Sequence, residues 1–294
     1  MTTGVLLMTY GAPRDEGDVA AYLARVRGRD VSPELLDEMR RRYRAIGGSP
    51  LVAITRAQAA EVEAALGPEH RVRPAMRFSE PSVADALGEL AASGVDRVVA
   101  LPLSPQWSPT LMSGYERAVA EAAARLAPAM PVTVVRDWHR DPAFVACLAA
   151  NLNEARASLA DRAPAVVLTA HSLPRRVYEA EPEYVAALRE TAELVADAAG
   201  LDGWTFAYQS AGHTAEEWLR PDLKELFPSL ARRGIEDVLV APVQFVADHL
   251  EVLYDLDVAA AEEARAAGLR YHRIAMPNTR PAFIGALAGI VRAA

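Results

Sequence analysis

The 294-residue chain contains almost no cysteine, which excludes several kinds of site. Cys147 is its only cysteine, so no internal disulfide can form. One thiol also cannot complete a Cys₄ zinc site or ligate an iron–sulfur cluster by itself. Cys147 lies in an apolar stretch, where a free cysteine is usually buried. We therefore predict a buried thiol and no iron–sulfur cluster.

Positive charge is also limited. The 31 Lys and Arg residues are outnumbered by 39 Asp and Glu residues, giving a net charge of −8. This balance argues against a nucleic-acid partner, which favours a basic surface. Lys224 is the only lysine. Recognition of carboxylate ligands would therefore fall to arginine, which binds them through two parallel hydrogen bonds.

Long apolar runs and the common phosphate motifs are missing as well. No apolar run reaches the roughly 18 residues that a membrane span needs. The first residues lead directly into a strand-like segment, so we expect no signal peptide and a cytoplasmic location. Neither G-x-x-x-x-G-K-[ST] nor G-x-G-x-x-G occurs, and no serine lies in G-x-S-x-G. These absences argue against phosphate binding and against a nucleophilic serine.

Short apolar runs alternate with longer amphipathic stretches along the whole chain. This alternation is typical of parallel sheets with helices on both faces. The predicted strands are Val5–Tyr10, Val72–Phe78, Arg97–Leu103, Val132–Trp138, Val166–His171, Thr205–Ser210, Val238–Val246 and Tyr271–Met276.

Two pairs of segments indicate an internal duplication. Residues 90–102 and 230–242 share Leu, Ala, Gly and Pro at matching positions, and residues 5–13 resemble residues 166–174. The sequence therefore predicts two Rossmann-like domains, 1–145 and 146–294, each with a four-stranded parallel sheet flanked by helices. The first domain carries an Arg-rich insertion near residues 15–49. The repeat places Tyr10 and His171 at equivalent turns, and we expect the active site in the cleft between the domains.

Ligands of open α/β sheets bind beyond the carboxyl ends of the strands, and His171 ends a predicted strand there. One interpretation is a structural histidine bonded to a backbone carbonyl. The other is an active-site group, since imidazole titrates near neutral pH.

An acidic segment follows the strand that is predicted to end near Val246. We expect a helix that places Asp248, Glu251 and Asp255 on one face. Acidic residues in a first helical turn often serve only as caps, which accounts for Asp248. Carboxylates on one face repel each other unless a cation or solvent relieves them, and hard oxygen ligands suit a divalent metal ion.

The insertion contains seven arginines before a Gly-Gly-Ser turn. Many of them are expected on solvated helix faces. Two or three near the turn would suit a ligand that bears several carboxylates.

Several segments together resemble the ferrochelatase family, and specifically the coproporphyrin III ferrochelatases of monoderm bacteria. They are Leu-Leu-Met-Thr-Tyr-Gly-Ala-Pro (6–13), Arg-Tyr-Arg-Ala-Ile-Gly-Gly-Ser-Pro-Leu (42–51), Leu-Pro-Leu-Ser-Pro-Gln-Trp-Ser (101–108), Ala-His-Ser-Leu-Pro (170–174), Tyr-Gln-Ser (208–210), Trp-Leu-Arg-Pro-Asp (218–222) and Phe-Val-Ala-Asp-His-Leu-Glu-Val-Leu-Tyr-Asp (245–255). The resemblance spans essentially the whole chain. It implies the class II chelatase fold, insertion of Fe²⁺ as a substrate, and a porphyrin or haem as the bound substrate or product.

The resemblance also implies roles for individual residues. His171 and Glu251 match the family's catalytic and metal-binding pair, and Tyr10 matches a tyrosine that ligates iron. The residues expected to hold the porphyrin and its propionates are Tyr10, Arg27, Arg29, Arg42, Tyr43, Ser49 and Tyr115. The arginine loop is one residue shorter than in close relatives, so the role of Arg27 could fall to Arg29.

Two other functions remain open at this point. One is a chelatase for another tetrapyrrole or metal, such as cobalt or nickel with sirohydrochlorin. The other is a tetrapyrrole-binding or haem-delivery protein without turnover, although it would have no need of both His171 and Glu251. For the ferrochelatase function we also expect a transient partner from the haem pathway.

Overall fold

The computed structural model describes residues 1–212 and 216–294. All eight predicted strands are present and form two four-stranded sheets, in which every strand pair is parallel. Helices connect successive strands, as parallel pairing requires. The prediction of two helix-flanked parallel sheets is confirmed.

The first sheet has the strand order β2-β1-β3-β4. Its strands are β1 (Thr3–Thr9), β2 (His70–Met76), β3 (Arg97–Pro102) and β4 (Val132–Val134). β1 is buried along its whole length, as expected for a central strand covered on both faces.

The second sheet has the order β6-β5-β7-β8, which repeats the order of the first. Its strands are β5 (Ala165–His171), β6 (Thr205–Gln209), β7 (Asp237–Pro242) and β8 (Arg270–Arg273). The identical topology supports the predicted duplication, with β1 equivalent to β5 and β3 equivalent to β7.

Several strands end earlier than predicted. β3 and β7 end at Pro102 and Pro242, which occupy the same position in the repeated segment. Proline has no amide hydrogen with which to extend the ladder. The prediction that β7 reaches Val246 was therefore wrong, and residues 243–246 lie beyond the strand.

Helices flank both sheets. They are α1 (Val19–Arg27), α2 (Pro33–Ala45), α3 (Leu51–Leu66), α4 (Val83–Ala92), α5 (Pro109–Leu126), α6 (Pro142–Ser158), α7 (Arg175–Ala180), α8 (Pro182–Ala198), α9 (Leu223–Arg232), α10 (Leu250–Leu253), α11 (Ala261–Ala266) and α12 (Pro281–Ala293). A 3₁₀ turn spans Glu16–Asp18, and a π-helix spans Asp255–Ala260.

The chain divides into two compact units. The first contains Met1–Trp138, Ala247–Leu250 and Asn278–Ala294, and the second contains His139–Val246 and Glu251–Pro277. The final segment belongs to the first unit because α12 packs against α3. The domain boundary at residue 145 stays a prediction.

The predicted insertion forms α1 and α2. Ser32 begins α2 by accepting a hydrogen bond from the amide of Leu35 at 3.3 Å, and Pro33 occupies the first helical position. Both features favour helix initiation at this point.

Apolar side chains form a core in each unit. In the first unit, Leu6 of β1 and Leu87 of α4 are fully buried, and in the second, Val167 of β5 and Phe227 of α9 are fully buried. Cys147 is 2% exposed, which confirms the predicted buried thiol. No helix within the described residues is both long enough and apolar enough to cross a membrane.

A buried carboxylate ties together the amino-terminal edge of the second sheet. Asp237 is 1% exposed and begins β7. Its Oδ1 accepts hydrogen bonds from Nε of Arg270 at 2.9 Å, and it lies 2.9 Å from Nε2 of His272. These bonds, led by the one from Arg270, hold the pKa of Asp237 well below its usual range. The carboxylate therefore stabilises the junction of β7 and β8.

Replacing Asp237→Asn is expected to lower the free energy of unfolding at pH 7 by about 1–3 kcal/mol, because charge-assisted hydrogen bonds are lost. A depressed pKa in the folded state contributes stability above the unfolded pKa of about 3.9, and this contribution is lost as the pH falls below it. The difference from the wild-type chain should therefore shrink between pH 5 and more acidic conditions in urea unfolding curves. The control is Asp202→Asn at an exposed position. A difference independent of pH would contradict the assignment.

Candidate functional site

His171 is held at the end of β5 by hydrogen bonds on three sides. Its amide donates to Oε1 of Gln244 at 2.7 Å, and the next amide, of Ser172, donates to the carbonyl of Gln209 at 2.7 Å. The ring atom Nδ1 lies 2.6 Å from the carbonyl oxygen of Ser172. The strand end therefore fixes both the backbone and the ring of this histidine.

The contact with Ser172 determines which ring nitrogen is available for chemistry. A carbonyl oxygen can only accept, so Nδ1 must carry the hydrogen. In neutral imidazole the lone pair then lies on Nε2. The His171 side chain is 22% exposed, so this lone pair can reach a ligand. Nε2 is thus a candidate proton acceptor or metal ligand.

Glu251 lies opposite that nitrogen. Its Oε1 is 3.9 Å from Nε2 of His171, and its side chain is 45% exposed. This separation exceeds a hydrogen bond. Two metal–ligand bonds of about 2.1 Å can together span up to roughly 4.2 Å, so the pair could flank one small cation. The predicted pair is brought together within the second unit.

The predicted helix carrying three aligned carboxylates was wrong. α10 begins only at Leu250, and the chain changes to a π-helix at Asp255. The amide of Ala259 donates to the carbonyl of Tyr254, five residues earlier, at 2.9 Å. Asp248 precedes the helix, so Asp248, Glu251 and Asp255 do not share a regular α-helical face.

Asp248 is instead held by Asn278 in the first unit. Its amide donates to Oδ1 of Asn278 at 2.8 Å, and Nδ2 of Asn278 donates to Oδ2 of Asp248 at 2.7 Å. Asn278 has φ of +46°, in the left-handed region that asparagine tolerates. This reciprocal pair fixes the chain three residues before Glu251.

Among residues 1–212 and 216–294, no group of three or more His, Cys, Asp or Glu side chains is placed to hold a metal ion. A two-residue arrangement such as His171 with Glu251 is better suited to a metal that passes through than to one that stays.

Tyr10 lies directly after β1 in an aromatic cluster of the first unit. Its ring centroid is 5.1 Å from that of Phe78 and 6.0 Å from that of Tyr115. The guanidinium carbon of Arg77 lies 5.6 Å from the Tyr10 centroid and 4.6 Å from the Phe78 centroid. Such cation–aromatic contacts hold the ring of Tyr10 beside a positive charge.

Tyr115 supports this cluster from α5. It is 3% exposed, and burial, followed by the nearby Tyr10, raises its pKa well above the usual range. Its phenol therefore stays neutral, and its role as a porphyrin contact stays a prediction.

The other predicted porphyrin-binding residues lie in or near the insertion. Arg27 ends α1 and Arg29 follows it, and both are exposed. Arg42 is paired through Nε with Oε1 of Glu38 at 2.7 Å. Tyr43 is 6% exposed in an apolar cluster, and Ser49 accepts a hydrogen bond from the amide of Leu51 at 3.4 Å. Arg27 and Arg29 are thus more exposed than Arg42, and the role of all three as porphyrin contacts stays a prediction.

The structure also identifies residues that the sequence did not single out. Gln244 was assigned to the interior of β7, and Arg77 to the interior of β2, because both strands were predicted too long. The proline at position 242 was the signal for the first error, since it predicts a strand end.

The family model described as ferrochelatase matches residues 2–294. The chain belongs to the ferrochelatase family. It is 37% identical over 299 residues to the coproporphyrin III ferrochelatase of Anoxybacillus flavithermus, a match that covers 98% of this chain and 95% of the relative. It is also 37% identical to the ferrochelatase of Deinococcus radiodurans, across 98% of this chain and 94% of that protein.

A solved structure supports the same fold for this ferrochelatase-family chain. SirB from Bacillus subtilis with Fe³⁺ superposes with a TM-score of 0.63 at 13% identity, across 99% of this chain and 95% of that one. Together with the paired four-stranded sheets, this confirms the expected class II chelatase fold.

The space beside Gly114 is filled by the side chain of Arg77, which packs on the ring of Tyr10. A Cβ built there would lie 1.8 Å from Nη2 of Arg77, whereas one at Gly88 in α4 meets only Leu126 at 3.7 Å. Ala is favoured over Gly in helices by about 1 kcal/mol, so Gly88→Ala should be stabilising. Gly114→Ala should forfeit that gain, because Arg77 must leave the aromatic rings at a cost of about 0.5–2 kcal/mol.

Thermal unfolding of both variants measures the difference. In an Arg77→Met background the clash is relieved, so Gly114→Ala should then stabilise like Gly88→Ala. Equal stabilisation by both substitutions in the wild-type background would show that Arg77 does not fill this space.

Proposed function

We propose that this chain inserts Fe²⁺ into coproporphyrin III, with His171 and Glu251 carrying the proton and metal chemistry. The observation that carries the proposal is the pairing of Nε2 of His171 with Oε1 of Glu251 at 3.9 Å, both partly exposed. The family membership supplies the reaction class, a lyase reaction in haem biosynthesis. Relatives named coproporphyrin III ferrochelatases support the choice of porphyrin.

The reaction exchanges two porphyrin protons for one Fe²⁺, so it needs a proton acceptor and a metal ligand, which His171 and Glu251 would supply. A free-base porphyrin holds two inner N–H protons, and insertion of Fe²⁺ releases both. His171 takes a pyrrole proton through Nε2, whose lone pair is fixed by the Nδ1 contact. Glu251 holds Fe²⁺ or relays a proton. Tyr10 as an iron ligand stays a prediction from the family resemblance.

Binding of the porphyrin would draw on the arginines of the insertion. Coproporphyrin III carries four propionates, and guanidinium groups bind carboxylates strongly. Energy from these remote contacts can be used to bend the flat ring and expose its nitrogen lone pairs to the metal. A cytoplasmic location and a transient partner in haem metabolism stay predictions.

The substrate is tested by anaerobic incubation with Fe²⁺ and equal concentrations of coproporphyrin III, protoporphyrin IX or sirohydrochlorin, following the Soret band. We expect the highest kcat/KM with coproporphyrin III and Fe²⁺. A preference for sirohydrochlorin, or for Co²⁺ or Ni²⁺ over Fe²⁺, would indicate a different chelatase. Absence of turnover with every combination, despite tight porphyrin binding, would indicate a binding protein.

His171→Ala and Glu251→Gln test the catalytic pair. Each should lower kcat by at least about 100-fold, since a positioned acid–base group contributes 10²–10⁴-fold. Porphyrin binding, measured by fluorescence quenching, should persist. Glu262→Gln on the exposed face of α11 is the matched control and should keep normal turnover. Near-normal kcat in His171→Ala would exclude the proposed mechanism.

Arg27→Ala and Arg29→Ala decide which arginine receives a propionate. A lost charge-assisted hydrogen bond of about 1.5–3 kcal/mol corresponds to roughly a 10–100-fold increase in KM for coproporphyrin III. We expect this increase in one of the two variants, with a smaller change in kcat. The control is Arg125→Ala in the exposed last turn of α5. Unchanged KM in both variants would exclude Arg27 and Arg29 as propionate ligands.

A further inference from the structure

Gln244 occupies a position where the sheet can no longer supply a hydrogen-bond partner. Thr169 pairs with Pro242 in register, and its carbonyl accepts from the amide of Val243 at 2.9 Å. The backbone amides and carbonyls of successive strand residues point alternately to the two neighbouring strands. After Thr169, the next residue of β5 whose amide points toward β7 is therefore His171. β7 has ended by then, and the side-chain oxygen of Gln244 accepts this amide at 2.7 Å. A side chain thus replaces the missing strand.

The far end of the same side chain is also fixed. Nε2 of Gln244 donates to the hydroxyl oxygen of Tyr184 at 2.8 Å. Tyr184 is 2% exposed at the start of α8, so its ring is a rigid anchor. Rotating the Gln244 amide by half a turn would place its NH₂ group against the amide of His171, which is also a donor. The amide therefore has one favourable orientation.

This bond is distinct from the other two that hold His171. The bond from Ser172 to Gln209 and the contact of Nδ1 with Ser172 both use main-chain carbonyls. Any side chain at position 244 would leave those carbonyls in place. Gln244 supplies the remaining constraint on the histidine backbone, on the side facing β7.

We infer that Gln244 is a positioning residue that, anchored by Tyr184, holds the backbone of His171 so that Nε2 faces Glu251. This inference rests on the proposed role of His171 in chelation. Gln244 itself need not touch the substrate. Loss of its amide should let the strand end shift, and a misplacement of about 1 Å can cost up to roughly 100-fold in rate. Porphyrin affinity should be unaffected.

The test compares Gln244→Met, which keeps the length of the side chain but has no strong donor or acceptor, with Gln244→Glu, which keeps an oxygen at the same reach. In Gln244→Met we expect kcat with Fe²⁺ and coproporphyrin III to fall by about 10–100-fold while KM changes less than about twofold. Gln244→Glu should recover part of this loss. Hydrogen exchange of the His171 amide should become faster in Gln244→Met.

Tyr184→Phe removes only the hydroxyl that orients the amide. It should lower kcat less than Gln244→Met, and the double variant should be no slower than Gln244→Met alone, because both substitutions break one chain of bonds. Thr191→Val is the structural control. Its hydroxyl, buried in the same helix as Tyr184, donates to the carbonyl of Ala187 at 2.7 Å, and its loss should leave kcat and KM unchanged.

The outcomes separate this inference from the proposed function. Normal turnover in His171→Ala would overturn both. An inactive His171→Ala together with normal kcat in folded Gln244→Met would overturn the inference alone, whatever the exchange rate. If Gln244→Met does not fold, Tyr184→Phe decides: a lower kcat at constant KM supports the positioning role, and unchanged kcat overturns it.

Discussion

The hydrogen bond between Nδ1 of His171 and the carbonyl of Ser172 is the contact on which the candidate chemistry depends. At 2.6 Å it assigns the hydrogen to Nδ1 and leaves the Nε2 lone pair facing Glu251. A metal-binding or proton-accepting histidine needs its second nitrogen fixed in this way. Here the partner is the next residue of the chain, so the tautomer is determined by local backbone geometry rather than by a distant side chain.

That local geometry follows from the sheet. Parallel strands bring their carboxyl ends to one edge, where the backbone must leave the ladder and polar groups become available. In both sheets the third strand in sequence ends at a proline, Pro102 or Pro242, so pairing stops at equivalent levels. The opposite edge of the second sheet is closed by Asp237 and its basic partners. One edge thus contributes stability, and the other carries the candidate chemistry.

The sequence was sufficient for the existence of the eight strands and their grouping into two parallel sheets, because these depend on hydrophobic pattern and repetition. The choice of His171 and Glu251 as a pair came from the family resemblance, and their catalytic role stays a prediction. The sequence was not sufficient for the helix after β7. A period of 3.6 was assumed there, whereas the structure has a four-residue α-helix followed by a π-helix. A hydrogen bond that spans five residues instead of four leaves no distinct mark in so short a pattern of apolar positions. Gln244 was missed because its role can be recognised only when the end of β7 is known, and the sequence pattern placed that end too late.

The proposed reaction favours an open set of protein ligands at the metal. A closed set of four ligands holds a metal permanently, whereas an open set leaves positions for other ligands. A chelatase must give its metal to four pyrrole nitrogens, so every strong protein ligand adds to the energy needed for transfer. Within the described residues, His171 and Glu251 are not joined by a third His, Cys, Asp or Glu in a metal-binding group. In the proposed reaction His171, whose side chain is 22% exposed, accepts the two pyrrole protons one after the other and passes each to solvent, while Glu251 holds the Fe²⁺.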